Sequence, residues 1–185
     1  MRIVGGRYRG REIDAPEGRD TRPTSDRARE GLFNILEHGV PGFRLPGAAI
    51  ADIFAGSGAL GLEALSRGAA SVIFVESSAA AQRVIAANIK ALTEEDQAKA
   101  RLQRISAETL RPAESPVDLV LMDPLYGSGL AAKALQRLQA QGWLHADTII
   151  VIEDAEDAAD ADHPGFELLK SRRYGKALFS FLKPA

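Results

Sequence analysis

The chain has 185 residues, with 23 Lys and Arg against 25 Asp and Glu, for a formal net charge of -2. That length suits one domain with its own core, and 45% apolar beside 26% charged residues excludes wholesale disorder. The absence of cysteine removes disulfide scaffolds, thiolate metal sites and cysteine nucleophiles together; His38, His145 and His163 show no metal-ligand spacing, so no metal is expected.

In chain order, residues 2–4 and 8–13 read as a short hairpin around Gly5-Gly6. Arg2, Arg7, Arg9 and Arg11 make this end basic, with no acid before Glu12. Asp20 to Pro23 is a loop, and Ser25 caps a helix running to about His38; Pro41, Gly42, Pro46 and Gly47 then break the chain. Strands and helices alternate from there: strand 49–54, helix 58–67, strand 71–75, helix 78–92, strand 100–105, strand 118–122, helix 129–140 and strand 148–152. Short apolar runs alternating with helical patterns predict parallel βαβ units with helices on both faces of the sheet. Residues 166–173 and 176–183, split by Tyr174-Gly175, predict an antiparallel pair at the end. No stretch resembles a signal peptide or a bilayer span, so a cytoplasmic protein without membrane contact is expected.

The near-neutral total argues against a polyanionic partner, but the charge is segregated. Eight acids and no Lys or Arg lie from Asp147 to Glu167, whereas residues 170–185 carry Lys170, Arg172, Arg173, Lys176 and Lys183 without an acid. Local basic clusters of this kind govern binding to nucleic acid more than the total does. The plainer reading of each cluster is a solvated, solubilising face.

The first strand runs into Asp52-Ile53-Phe54-Ala55-Gly56-Ser57-Gly58-Ala59-Leu60-Gly61, a G-x-G-x-x-G loop between a strand and a helix. Its glycines let the backbone turn tightly and approach a ligand closely. Glu76 ends the next strand, twenty residues after Gly56, where a carboxylate can accept hydrogen bonds from both ribose hydroxyls of an adenosine-containing ligand. Phe54, Ala55 and Ser57 in the loop, Gly61 beyond it and Ser77 beside Glu76 join the candidate cofactor contacts. A dinucleotide would place pyrophosphate on the helix N-terminus. S-adenosylmethionine has an ammonium group instead, which Asp52 can face directly or through water, and 185 residues leave little room for a dehydrogenase's substrate domain. The alternative is that the glycines only make a tight turn.

The fourth strand runs into Asp123-Pro124-Leu125-Tyr126-Gly127. Ligands of open α/β sheets bind outside the carboxyl ends of strands, so this turn should share the crevice with Gly56 and Gly58. Asp123 and the Pro124 carbonyl suit an exocyclic base amine, a poor nucleophile whose two N–H bonds they can accept. Tyr126 can stack on the extruded base. A helix-start turn, with Asp123 structural and Tyr126 in the core, is the alternative.

Taken with Arg2-Ile3-Val4-Gly5-Gly6-Arg7-Tyr8-Arg9-Gly10-Arg11, Arg22-Pro23-Thr24-Ser25-Asp26-Arg27-Ala28-Arg29-Glu30, Phe33-Asn34 and the run from Asp52 through Gly61 to Leu65, the chain resembles the bacterial 16S rRNA (guanine(966)-N(2))-methyltransferases. The resemblance covers nearly the whole chain. It implies a Rossmann-like class I methyltransferase: a seven-stranded, mostly parallel sheet with an antiparallel C-terminal hairpin and helices on both faces. It also implies S-adenosyl-L-methionine as cofactor and methyl transfer to a guanine N2 of 16S rRNA, within a small subunit or assembly intermediate, by a monomer. On that basis residues 1–20 form an N-terminal hairpin serving RNA through Arg2, Arg7, Tyr8, Arg9, Arg11 and Arg22, and residues 21–185 the methyltransferase domain. Ser106 and Ala107, after the third strand, fall where such enzymes meet the adenine edge, and Thr24 and Arg22 fall within reach of the methionine carboxylate or a substrate phosphate. Arg27 and Arg29 serve equally well as helix-surface charges. The family has a second proline where this chain has Leu125, so the ring that would stiffen Pro124 is lost. Adenine-N6 methylation of DNA or another RNA, a nonenzymatic RNA-binding assembly factor and a nicotinamide oxidoreductase are the competing readings.

Overall fold

The computed structural model describes residues 1–16, 24–155 and 163–185. Arg22, the loop from Asp20 to Pro23, the expected boundary between residues 20 and 21, and four of the eight acids (Glu156, Asp157, Asp160 and Asp162) lie outside the described residues.

The first helix, α1 (Asp26–His38), begins where the side chain of Ser25 accepts from the Ala28 amide, with Asp26 in its first turn and Gly39 as its C-cap. The chain then alternates: β1 (Ala49–Ile53), α2 (Ala59–Ser66), β2 (Ser71–Val75), α3 (Ala79–Lys90), the short α4 (Glu94–Ala98), β3 (Ala100–Gln103), a 3-10 turn (Ala107–Thr109), β4 (Val117–Met122), α5 (Leu130–Ala140), β5 (Leu144–Ala155), β6 (Phe166–Tyr174) and β7 (Ala177–Pro184). These form one seven-stranded sheet in the order β3-β2-β1-β4-β5-β7-β6. The first five strands are parallel, and β7 pairs antiparallel with both β5 and β6. This is the mixed sheet that the alternating apolar runs predicted. β1 and β4 read as near-continuous apolar runs because both of their faces are covered.

One face of the sheet packs Phe33 and Leu36 of α1, Leu62 and Leu65 of α2 and Ile85 of α3 against Phe74, Phe179 and Phe181. The other packs Leu135 and Leu138 of α5 and Trp143 against Ile53, Met122 and Ile152. The indole N–H of Trp143 donates to the Arg111 carbonyl at 2.9 Å, so this large ring is buried with its one polar group satisfied. No helix among the described residues is long and apolar enough to cross a membrane.

Several boundaries differ from expectation. The N-terminal segment has one antiparallel bridge, Arg2 to Glu12, and its chain reverses over residues 5–10 rather than at Gly5-Gly6. The cause is tertiary: the Arg7 amide donates to the Ser66 carbonyl and the Tyr8 amide to Ser66 Oγ, so the turn is moulded on the end of α2. Ile3, Tyr8 and Ile13 join the core beneath α1, α2 and α3. β3 stops at Gln103, whereas β5 begins early, at Leu144, with its register to β4 shifting between Val117 and Leu119. The last turn falls on Gly175-Lys176, one residue later than expected. α4 and the 3-10 turn are too short to leave a periodic signal.

Candidate active site

β1 and β4 are neighbours, but the chain leaves them toward opposite halves of the sheet, β1 toward β2 and β4 toward β5. A crevice opens outside the carboxyl ends of strands at such a switch point. The register pairs Ile53 with Met122, so Phe54 and Asp123 leave the sheet side by side. The loop after β1 and the Asp123–Tyr126 turn after β4 therefore share one crevice, as the sequence predicted.

Phe54, Gly56 and Gly58 all have positive φ, at 63°, 59° and 79°. Phe54 is the one described non-glycine residue in that region, and backbone strain of this kind gathers where a loop is shaped for a ligand. At Gly58, the N-cap of α2, a Cβ would come within 3.3 Å of Phe74; at Gly61 it would come within 2.3 Å of the same ring. Gly58 thus supplies a left-handed turn, and Gly61 allows α2 to approach β2.

Two acids hold the loop. Glu76, buried at the end of β2, accepts from the Gly56 amide at 2.9 Å with one oxygen and from the Ser78 amide at 2.7 Å with the other. Asp52, 1% exposed, accepts from the Gly61 amide at 2.9 Å. Burial pushes the Asp52 carboxyl up to about 8, opposed by the Gly61 bond and reinforced by the charge of Glu76. Asp52 thus lies beneath the loop and supports it through the Gly61 amide. Ser57 is buried, and its hydroxyl lies 3.7 Å from the Met1 sulfur; Ala55 is also buried, while Ser77 is exposed. Ser106 caps the 3-10 turn and Ala107 is buried, both beyond the end of β3 and on the same edge of the crevice.

On the β4 side Asp123 is exposed, Pro124 is buried, and Leu125 and Tyr126 are 59% and 50% exposed. The Tyr126 hydroxyl donates to Glu153 Oε1 at 3.3 Å, and the Thr24 hydroxyl donates to Glu153 Oε2 at 2.5 Å. Burial of the ring and the negative charges of Glu153 and Asp123 raise the Tyr126 hydroxyl, which stays neutral. Burial likewise raises Glu153, against the two hydroxyls and the nearby Arg29 cation. Glu153 was not singled out from the sequence, because an acidic segment surrounds it. Its signal is the one that marks Glu76: an acid directly after an apolar strand run, here Ile149 to Ile152. Thr24, placed by the sequence within reach of a methionine carboxylate or substrate phosphate, joins Glu153 to the start of α1.

The arginines separate by burial. Arg29, read as a helix-surface charge, is 1% exposed and donates to the carbonyls of Thr24 and Arg2 and to Asp26. Its neighbour Arg27 is exposed. Arg2 pairs with Asp26 and Arg7 with Asp96, while Arg9 and Arg11 are exposed. Tyr8, expected among the RNA-facing residues, is buried instead. Its hydroxyl donates to Asp96 at 2.6 Å, its ring lies under the guanidinium groups of Arg7 and Arg11, and it anchors the turn. Asn88, also unpredicted, donates to the Ser57 and Asp14 carbonyls and accepts from the Asp14 amide, joining the glycine loop to the N-terminal segment.

The family described as Conserved hypothetical protein 95 matches residues 1–183. Ribosomal RNA small subunit methyltransferase D of Escherichia coli K12 is 37% identical over 154 residues, covering 83% of this chain and 74% of that one. The Haemophilus influenzae protein of the same name is 32% identical over 177 residues, covering 95% and 89%. Among solved structures, yhhF of Escherichia coli superposes with a TM-score of 0.84 at 33% identity, covering 100% of this chain and 97% of that one. A hypothetical protein of Thermus thermophilus superposes with a TM-score of 0.75 at 28% identity, covering 99% of each. A shared fold, a match over nearly the whole length and this level of identity place the chain in one family with ribosomal RNA small subunit methyltransferase D.

Proposed function

We propose that this chain transfers a methyl group from S-adenosyl-L-methionine to the exocyclic N2 of a guanine in 16S rRNA of the small ribosomal subunit, acting as a cytoplasmic monomer. The observation that carries the reading is the shared crevice, with the strained glycine loop after β1 beside the Asp-Pro-Leu-Tyr turn after β4. The names of the relatives support the substrate class.

The cofactor fits the residues present. Glu76 and Ser77 stand at the end of β2 for the ribose, Ser106 and Ala107 beyond β3 for the adenine, and the loop from Phe54 to Gly58 for the amino-acid tail. Asp52 shapes that loop from beneath and Thr24 borders the crevice. When bound, the cofactor supplies a methyl group already activated by the positive sulfur. What remains for the protein is to present a nitrogen whose lone pair is delocalised into the guanine ring. Asp123 and the Pro124 carbonyl accept its two N–H bonds, turn the lone pair outward and stabilise the positive charge that develops on it until one N–H proton passes to Asp123 or to water. Tyr126 stacks on the base, with its hydroxyl held by Glu153. Leu125 leaves both accepting groups in place.

Replacing Asp123 with Ala is expected to abolish transfer to under-methylated small subunits while S-adenosylmethionine binding, measured by calorimetry, stays near wild type. Mass analysis of the labelled nucleoside identifies the base and the nitrogen. Full activity in the variant, or label on an adenine, overturns the assignment.

A further inference from the structure

The glycine loop and its acids occupy the β3-β2-β1 half of the crevice end, and the other half, β5-β7-β6, ends in a feature without a role. Sheet register defines its place. Met122 pairs with Ile152, Glu153 with Phe179, and Phe179 with Arg172, so Asp123, Glu153, Phe179 and Arg172 form one row across four strands. Arg172 stands three strand spacings from Asp123, or about 14 Å along the sheet. The hairpin turn that follows carries Lys176, and both cations are exposed. Arg173 between them points to the opposite face of the sheet.

The hairpin tip is firmly seated. The Tyr174 ring packs on Gly31 of α1 and lies 6.1 Å from the Phe179 ring. Glu153, in the same row, is buried and engaged by Thr24 and Tyr126. The exposed Leu125 and Tyr126 belong to the strand end that opens this row.

Of the N-terminal arginines, Arg7 sits in the turn docked on Ser66, at the far end of α2 from the glycine loop, a helix length of about 12 Å for its eight residues, whereas Arg2 pairs with Asp26 at the start of α1. Arg7 is also paired with Asp96. A nucleotide whose base enters the Asp123–Tyr126 turn leaves its phosphates at the rim, where cations are needed to position the strand.

We propose that Arg172 and Lys176, at the tip of the β6–β7 hairpin, form a phosphate-binding rim for the RNA strand that flanks the target base. The proposal rests on the reading that RNA is the substrate.

The test is the double variant R172A/K176A in the full chain, titrated with a 16S rRNA transcript and with under-methylated small subunits across a salt series. The expected result is a several-fold rise in the KM for RNA and an unchanged dissociation constant for S-adenosylmethionine. The slope of log affinity against log salt should also become shallower by about 0.7 for each phosphate of single-stranded RNA that is no longer neutralised. The charge-preserving R172K/K176R should retain the wild-type slope. An unchanged slope in R172A/K176A, or an equal loss of affinity in R101A/K133A, which removes two exposed cations elsewhere on the sheet and α5, overturns the proposal. If the wild-type chain transfers no methyl group to either RNA, the methyltransferase reading fails; the rim is then judged on the binding slopes, where the same outcomes support or overturn it.

Discussion

Asp52 shows how one residue type at one strand position carries a cost that the site then uses. Its carboxyl is buried under the glycine loop and stands at about 8 against an ordinary 3.8. Between those values the folded chain holds a proton that the unfolded chain has released, so this group's contribution is full at acid pH and is lost as pH rises through 8. Asp52→Asn keeps an oxygen for the Gly61 amide and removes that titration. In the absence of cofactor, the variant's melting temperature is expected to gain on wild type steadily between about pH 5 and pH 8; parallel profiles would refute the assignment. Glu76, Gly56, Gly58 and Asp123 were legible as residues because type and spacing carry their signal. Tyr8, Arg29 and Glu153 were not, since whether a tyrosine, an arginine or an acid faces water depends on elements distant in sequence.

The same division holds for the elements. Central strands and capped helices follow from apolar runs and from Ser25 and Ser78, whose side chains accept from the Ala28 and Ala81 amides. The N-terminal turn follows from contacts instead, and Asn88 on α3 is its link to the crevice. That side chain is 5% exposed and makes bonds of 2.9 to 3.1 Å to Asp14 and Ser57. Asn88→Ala leaves two carbonyls and an amide without their partner, at a cost of about 1–3 kcal/mol. The expected signature is local as well as global, with faster hydrogen exchange at the Asp14 amide and weaker cofactor binding. Unchanged protection of that amide would show that Asn88 does not hold the segment.

At the scale of the whole molecule, the C-terminal hairpin completes the sheet through β7 on β5, and α1 lies against it. A Cβ on Gly31 would come within 2.3 Å of the Tyr174 ring, so that helix and strand meet where a side chain is missing. Gly31→Ala is expected to destabilise the fold by about 1–3 kcal/mol through overpacking. Adding Tyr174→Ala should recover part of the loss, a coupling that a urea-denaturation double-mutant cycle measures; strictly additive losses would separate the two sites. The same hairpin carries Arg172 and Lys176, 49 and 53 residues beyond Asp123 in the chain, to the strand ends from which Asp123 emerges. Read alone, the amino-acid sequence determined the alternation of strands and helices, the glycine loop with its spaced acid and the Asp-Pro-Leu-Tyr turn, because local periodicity, backbone freedom and side-chain chemistry are written in adjacent residues. Only the tertiary structure decided which charges are buried, where the N-terminal turn docks and which cations fall in one row with Asp123, because those depend on strand order and register, which bring distant residues together.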